Sequence, residues 1–310
     1  MSLTSRITVS NAEEPEHSPE DIFSSSLSII FPDDVTNQHG VAEQSIRYVS
    51  PHLPKPLVLD LAKPVSEEDR YLFGHYLWNA SLLLAELIER DSLPLPAADT
   101  SANGLGKDAN FDVRGLEVME VGAGTGLPSI MAGLLGARRV VVTDYPAPTI
   151  MTTLQASVVK NIRSELAPSP ASFTLPEVVV DGHVWGNFSA SDPICSNYRQ
   201  CFDRIFVCDC LWMPEQHANL HRSLSYFLRA DSAARAWVIA GFHTGRGKLR
   251  GFFDAAALAV EGLEVDTIWE RECNGNERAW EWDREEEDKT LRKRWLVVAS
   301  LKRTDSFLES

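Results

Sequence analysis

The chain is short of paired cysteines, of basic charge and of long apolar runs, and each shortage removes a class of function. Five cysteines stand among 310 residues and none forms a CxxC pair. That spacing indicates neither a zinc site nor a disulfide framework, and a reducing compartment, the cytoplasm, fits best. Lys and Arg number 29 against 44 Asp and Glu, a formal net charge of −15, which counts against nucleic acid or an anionic membrane as the main partner. No apolar run reaches about twenty residues, and no basic flank precedes an apolar core at the amino terminus, so neither a membrane span nor a signal peptide is expected. There is no GK[ST] triplet and hence no phosphate loop of that kind. No internal repeat is found. What remains is 44% hydrophobic content, enough for one sizeable core.

Residues 1–24 are polar and are expected to be disordered. Residues 25–110 read as an amino-terminal extension, with short proline-broken strands in "LSIIF" and "RYVSPHLPKPLVLDLA". The run "KPVSEEDRYLFGHYLWNASLLLAELIERD" follows and reads as one strong helix. Ser66 can cap it, acids fill its first turn, and Leu72, Phe73, Tyr76, Leu77, Leu83, Leu84, Leu87 and Ile88 recur at helical spacing. A Pro/Gly/Ser/Asn-rich loop closes the extension. Across 111–303, strand-like and helix-like segments alternate, and the strands are continuous apolar runs, as in a parallel sheet covered on both faces. A long charged insert, not a helix, joins the last two strands, so the final strand should run antiparallel. The expected fold is α/β, doubly wound and Rossmann-like.

Within this core, "VMEVGAGTGLPSI" leaves a buried strand through Gly122, Gly124 and Gly126, with Glu120 inside the strand. Glycines at the first strand-to-helix turn let a ligand approach the backbone, and the helix start offers free N–H groups. The spacing is GxGxG rather than GxGxxG, which misplaces the third glycine for a pyrophosphate cradle. Asp144 closes the next strand, "RRVVVTD", 18 positions after Gly126. A carboxylate there can accept both hydroxyls of a ribose. The blander reading makes GAGTG an ordinary turn and Asp144 a cap for the following helix.

The stretch "VMEVGAGTGLPSIMAGLLGARRVVVTDYP" resembles motif I and its successor strand in class I S-adenosylmethionine-dependent methyltransferases. More narrowly, it is similar to the lysine-methyltransferase-like group of eukaryotes, which holds elongation factor methyltransferases and fungal proteins labelled nicotinamide N-methyltransferase. The resemblance runs from about Tyr71 to Leu301. It implies a mostly parallel sheet of seven strands with a final antiparallel one, and S-adenosylmethionine as cofactor. Gly122, Ala123, Gly124 and Gly126 would then cradle the methionine part, Glu120 would supply negative potential near its ammonium, and Asp144 with Tyr145 would take the ribose end. "HYLWNAS" supplies a cofactor-side Trp78, and "GHVWG" supplies Trp185 beside the adenine. "VCDCLW" would turn Cys208 to the cofactor and place Asp209 and Trp212 at the transfer site. Trp212 stands where the family usually has Tyr or Phe, and Asn79 where many members have Asp; both departures bear on the substrate.

Other features carry competing readings. His217 and His221 are spaced i, i+4, a zinc-compatible spacing with no third ligand, so a packed helix face is expected. His243 could act as a general base. The 270–295 insert, with Trp280 and Trp282 among many acids, reads as a solvated hairpin or as a rim for a positively charged partner. The favoured activity is N-methylation of a protein amine, a lysine or an amino terminus, on a substrate such as a translation factor. The rival is the same chemistry on a small nitrogen base such as nicotinamide. A non-catalytic cofactor-binding scaffold and an NAD-dependent oxidoreductase are weaker alternatives, and nucleic-acid methylation lacks its N-P-P-Y-like segment.

Overall fold

The computed structural model describes residues 2–10, 36–42, 44–94, 104–189, 192–284 and 288–309. The strand expected at "LSIIF" and most of the segment expected to be disordered lie outside these residues. Residues 2–10 depart from that expectation: after a turn at Leu3–Arg6, strand β1 (Ile7–Ser10) pairs antiparallel with β2 (Ser45–Tyr48). β3 (Leu57–Asp60) completes this small sheet. Alternation along β2 and β3 turns Ile46, Tyr48, Leu57 and Leu59 inward, all fully buried. They join the same core as the main sheet, so the extension is built onto that core and not hung from it.

The expected single helix is two. α1 (Glu67–Tyr71) stops, and α2 (Asn79–Ser92) starts only after Trp78, which is extended at ψ 150°. Between them Phe73 adopts a left-handed φ of 52°. Gly74 and an aromatic run are poor helix formers, and the backbone here lies against the turn after the first core strand. A Cβ on Gly124 would stand 3.6 Å from the Gly74 carbonyl oxygen and 3.9 Å from that of Tyr76. The apolar periodicity was real, but these residues face a cavity instead of continuing the helix stripe. α2 itself is nearly all buried, which suits its Leu-rich sequence.

The main sheet holds β4 (Glu117–Val121), β5 (Arg139–Asp144), β6 (Glu177–Gly182), β7 (Arg204–Cys208), β8 (Arg235–Gly241), β9 (Leu263–Glu272), β10 (Glu277–Ala279) and β11 (Trp295–Arg303). Their order is β10-β9-β11-β8-β7-β4-β5-β6. β4 to β8 pair parallel, and β11 runs antiparallel to both β8 and β9, as expected for the final strand. The eighth strand, β10, is the short return of the hairpin in the charged insert. Side chains alternate between two cores. Val118, Val140, Val142 and Phe206 meet α2 and α3 (Leu127–Leu134) on one face. Met119, Val121, Val141, Ile205 and Val207 meet α5 (His217–Phe227) on the other. α4 (Pro148–Asn161), with proline at its start, packs against β3 and β6. After β8 a single α-helical turn (Arg246–Leu249) and a 3-10 turn (Arg250–Phe253) precede α6 (Ala255–Val260), capped by Asp254 accepting from the Ala257 N–H. Among the described residues no helix is long and apolar enough to cross a membrane.

The strand order reverses between β4 and β7. Their carboxyl ends therefore open a crevice that no crossover helix fills, the place where open α/β sheets bind ligands.

Candidate functional site

That crevice is a cavity of about 210 Å³. Its floor is the turn after β4. Gly122 and Gly124 have φ of 67° and 54°, a conformation that side chains disfavour. A Cβ on Gly122 would stand 2.7 Å from Cys210 Sγ and 3.1 Å from the Trp185 ring. The turn is tied to β5: the Ala123 N–H donates to the Thr143 carbonyl, and the Gly124 N–H donates to Asp144 Oδ2 at 2.7 Å. Asp144 Oδ1 accepts from the Tyr145 N–H at 2.6 Å. Burial raises the Asp144 pKa, against the pull of those two backbone donors. Each oxygen keeps a further lone pair for a ligand hydroxyl. The cap of α4 is Ala147, so the helix-cap reading of Asp144 fails. Tyr145 stands half-exposed at the rim.

The opposite wall is aromatic. Phe73 meets Trp212 edge-on at 5.3 Å and Trp78 at 6.5 Å, and Tyr76 meets Trp78 at 6.1 Å. Trp185, after β6, closes the side next to Gly122. Cys208 ends β7 and lines the cavity with Asp209, whose φ of 57° is unusual for a residue other than glycine. Asp209 Oδ1 accepts from the Gly241 N–H at 3.2 Å and from His243 Nε2 at 2.9 Å. The cap of α5 is Gln216, so Asp209 is not a helix cap either. His243 stacks on Trp78 at 4.8 Å. Burial works against charge on His243, but the charge of Asp209 and the hydrogen bond to it outweigh burial, and its pKa lies above the usual histidine value. Among the described residues no lysine or arginine lines the cavity, whereas two carboxylates and five large aromatic side chains beside Tyr145 do. Such a lining suits a cation.

Ten of the residues singled out in the sequence therefore line one cavity: Trp78, Gly122, Ala123, Gly124, Asp144, Tyr145, Trp185, Cys208, Asp209 and Trp212. Two do not. Gly126 starts α3 in the left-handed conformation. Glu120 is fully buried, its Oε2 accepting from the Ser129 N–H at 3.1 Å and from Ser129 Oγ at 2.6 Å. The free N–H groups at the start of α3 draw its side chain under the helix. Burial lifts its pKa to about 8 despite the Ser129 bonds, which favours the neutral carboxyl in the free chain. His217 and His221 are both buried, each with Nε2 on a carbonyl, Leu211 and Phe252 respectively, a packed helix face as expected. Phe73, Gly74 and Tyr76 were not singled out as site residues. Their signal was the glycine within "YLFGHYLW", which interrupts an otherwise helical pattern.

The cradle fits an S-adenosylmethionine molecule: a glycine turn that a Cβ would fill, a carboxylate at the end of the second strand, and aromatic walls without a cation. Residues 63–257 match the sequence profile of a family described as lysine methyltransferase. Three curated relatives are each called protein N-terminal and lysine N-methyltransferase EFM7. The Gibberella zeae protein is 30% identical over 70% of this chain and 74% of its own. The Schizosaccharomyces pombe protein is 28% identical over 72% of this chain and 76% of its own. The Kluyveromyces lactis protein is 33% identical over 53% of this chain, and there the match spans only 56% of that protein's length.

Proposed function

The chain belongs to the lysine methyltransferase family, S-adenosylmethionine-dependent enzymes that act on protein amines, and from that premise we propose which residues carry the reaction and on what substrate. The observation that carries the reading is the Asp209–His243 pair, 2.9 Å apart, set beside the aromatic wall at the end of β7. Bound S-adenosylmethionine supplies a methyl group already activated on a sulfonium. The chain's own work is to hold an amine in line, to exclude water and to take up a proton. Gly122, Gly124 and Asp144 bind the methionine and ribose portions, and Trp185 covers the adenine. Trp78, Phe73 and Trp212 form an apolar sleeve in which an ammonium group is poorly hydrated. Beside the positive sulfonium, the cation that this lining would hold, a second cation is disfavoured, so the amine's pKa, about 10.4 for a free lysine, would fall there. Asp209 accepts a hydrogen bond from the incoming amine, and the proton released passes to the pair with His243, whose edge reaches solvent at 17% exposure.

The substrate is a protein lysine or amino terminus, and the finer reading is a translation factor. The relatives' names support the first, and the resemblance to the group that holds elongation factor methyltransferases supports the second. The full chain, incubated with methyl-labelled S-adenosylmethionine and a eukaryotic lysate, is expected to label one protein band, with no label when Asp144→Ala replaces it. The band's sequence then identifies the substrate. Label confined to small molecules would overturn the protein reading and favour a nicotinamide-like amine.

A further inference from the structure

We propose that His183, Asp192 and Cys195 form a zinc site behind the tryptophan wall of the cavity. His183 follows β6, while Asp192 and Cys195 stand at the start of a short helix, Pro193–Asn197. One ligand atom from each lies within 4.8 Å of the other two. The His183 side chain is wholly enclosed, and its Nδ1 has no hydrogen-bond partner. That is a costly state for a buried imidazole nitrogen. Asp192 Oδ2 lies 3.8 Å from Nδ1, and the Cys195 thiol donates to the same oxygen at 3.4 Å.

The imidazole–carboxylate length favours a metal over a direct hydrogen bond, while the Cys195 thiol, with no metal bound, donates to Asp192 Oδ2. A hydrogen bond from Nδ1 to the carboxylate would need about 2.7–3.2 Å. Bonds of about 2.0–2.3 Å around a tetrahedral zinc instead set neighbouring ligand atoms about 3.3–3.8 Å apart. The remaining atoms are disposed to match. His183 Nε2 lies 2.9 Å from Ser223 Oγ, so a proton on Nε2 leaves the Nδ1 lone pair facing the cluster, the outer-shell arrangement that ligating histidines use. Asp192 Oδ1 is taken by the Ile194 N–H, which leaves Oδ2 as the ligand atom. The Asn187 carbonyl oxygen accepts from the Cys195 thiol at 3.4 Å, which puts a further oxygen beside the sulfur. One nitrogen, one sulfur and oxygen donors suit zinc better than calcium or magnesium, which take oxygen alone. Binding would release the Cys195 thiol proton to solvent. The ion would clamp the end of β6 to the segment that follows Trp185, and so set the wall against which Trp185 stands.

The test uses the full chain, stripped with chelator, exposed to zinc, freed of excess by gel filtration and assayed for metal. About one zinc per chain is expected, falling below about a tenth of that in Cys195→Ser and in Asp192→Asn, while Cys201→Ser keeps its zinc. Equal zinc in Cys195→Ser and the unaltered chain would overturn the site, as would failure of the unaltered chain to retain any. If the variants fail to fold, as judged by circular dichroism, cobalt on the unaltered chain decides. A thiolate-to-cobalt band supports the site, and its absence refutes it. None of these readouts involves methyl transfer.

Discussion

The cavity has two walls of different construction. The glycine wall is backbone, drawn from one contiguous stretch between Val118 and Tyr145, and closed by short bonds such as Gly124 N–H to Asp144 at 2.7 Å. The aromatic wall is side chains, gathered from residues 72–78, 209–212 and 243 and held by ring edges and one carboxylate–imidazole bond. Each ring contact contributes about 0.5–1.5 kcal/mol beyond burial, so this wall can adjust where the first cannot. The contrast assigns affinity for the cofactor to the glycine wall and selection and activation of the amine to the aromatic one.

The harshest challenge to that division is Gly122→Ala. A left-handed alanine costs about 1–2 kcal/mol, and its Cβ would overlap Cys210 Sγ and the Trp185 ring, separated by only 2.7 and 3.1 Å, for a further cost of about 1–3 kcal/mol. Cofactor affinity, read by calorimetry, should fall about 100-fold or more, with little secondary-structure change by circular dichroism. An affinity within about threefold of the unaltered chain would move the binding away from this wall.

A change on the other side should split the constants differently. Asp209→Asn should lower kcat about 100-fold, and His243→Gln about 10-fold, with cofactor affinity held within about threefold in both. The pH dependence checks the pairing. The His243 pKa is raised in the folded chain, so the stability it contributes is complete below its ordinary value of 6.5 and is lost as pH rises through the folded value. The melting-temperature gap between the unaltered chain and His243→Gln should therefore be widest in acid and close toward alkaline pH. Activity should move the opposite way, rising with pH as the pair frees its acceptor site. A gap that widens with pH would show that His243 is not held by Asp209.

The two walls also differ in how far the sequence disclosed them. Gly122, Gly124 and Asp144 sit at fixed offsets within a strand–turn–helix–strand unit, so local spacing was enough to place them together. The parallel sheet with its antiparallel last strand needed only continuous apolar runs and a charged insert before β11; the order of the strands did not follow from them. The aromatic wall depends on contacts between segments more than a hundred residues apart, which periodicity does not encode. Leu72, Phe73 and Tyr76 kept helical spacing and were read as a helix face. Their true placement follows from the Gly74 and Tyr76 backbone lying against Gly124. His243 was read as a possible general base on a loop, but nothing in its neighbourhood announces Asp209 as its partner. Glu120 differs for the opposite reason: its position in the motif was legible, but in the free chain its rotamer is set by the start of α3.

Glu120 offers the smallest effect and a precise one, since it belongs to the glycine motif by sequence but to the core by contact. Its carboxyl, lifted by burial to about 8 from an ordinary 4.5, keeps a proton in the folded chain that the unfolded chain has released. Between those two values the folded state holds more protons, so the group's contribution makes stability fall as pH rises, levelling off above about 8. Glu120→Gln removes this titration. Melting temperature followed from pH 5 to pH 9 should decline less steeply in the variant, by a few degrees at about pH 8, while cofactor affinity stays within about threefold. Parallel melting curves would mean that Glu120 is ionised in the free chain. A cofactor affinity lowered about tenfold or more would return Glu120 to the glycine wall, with the ligand's ammonium drawing the carboxylate out from under α3.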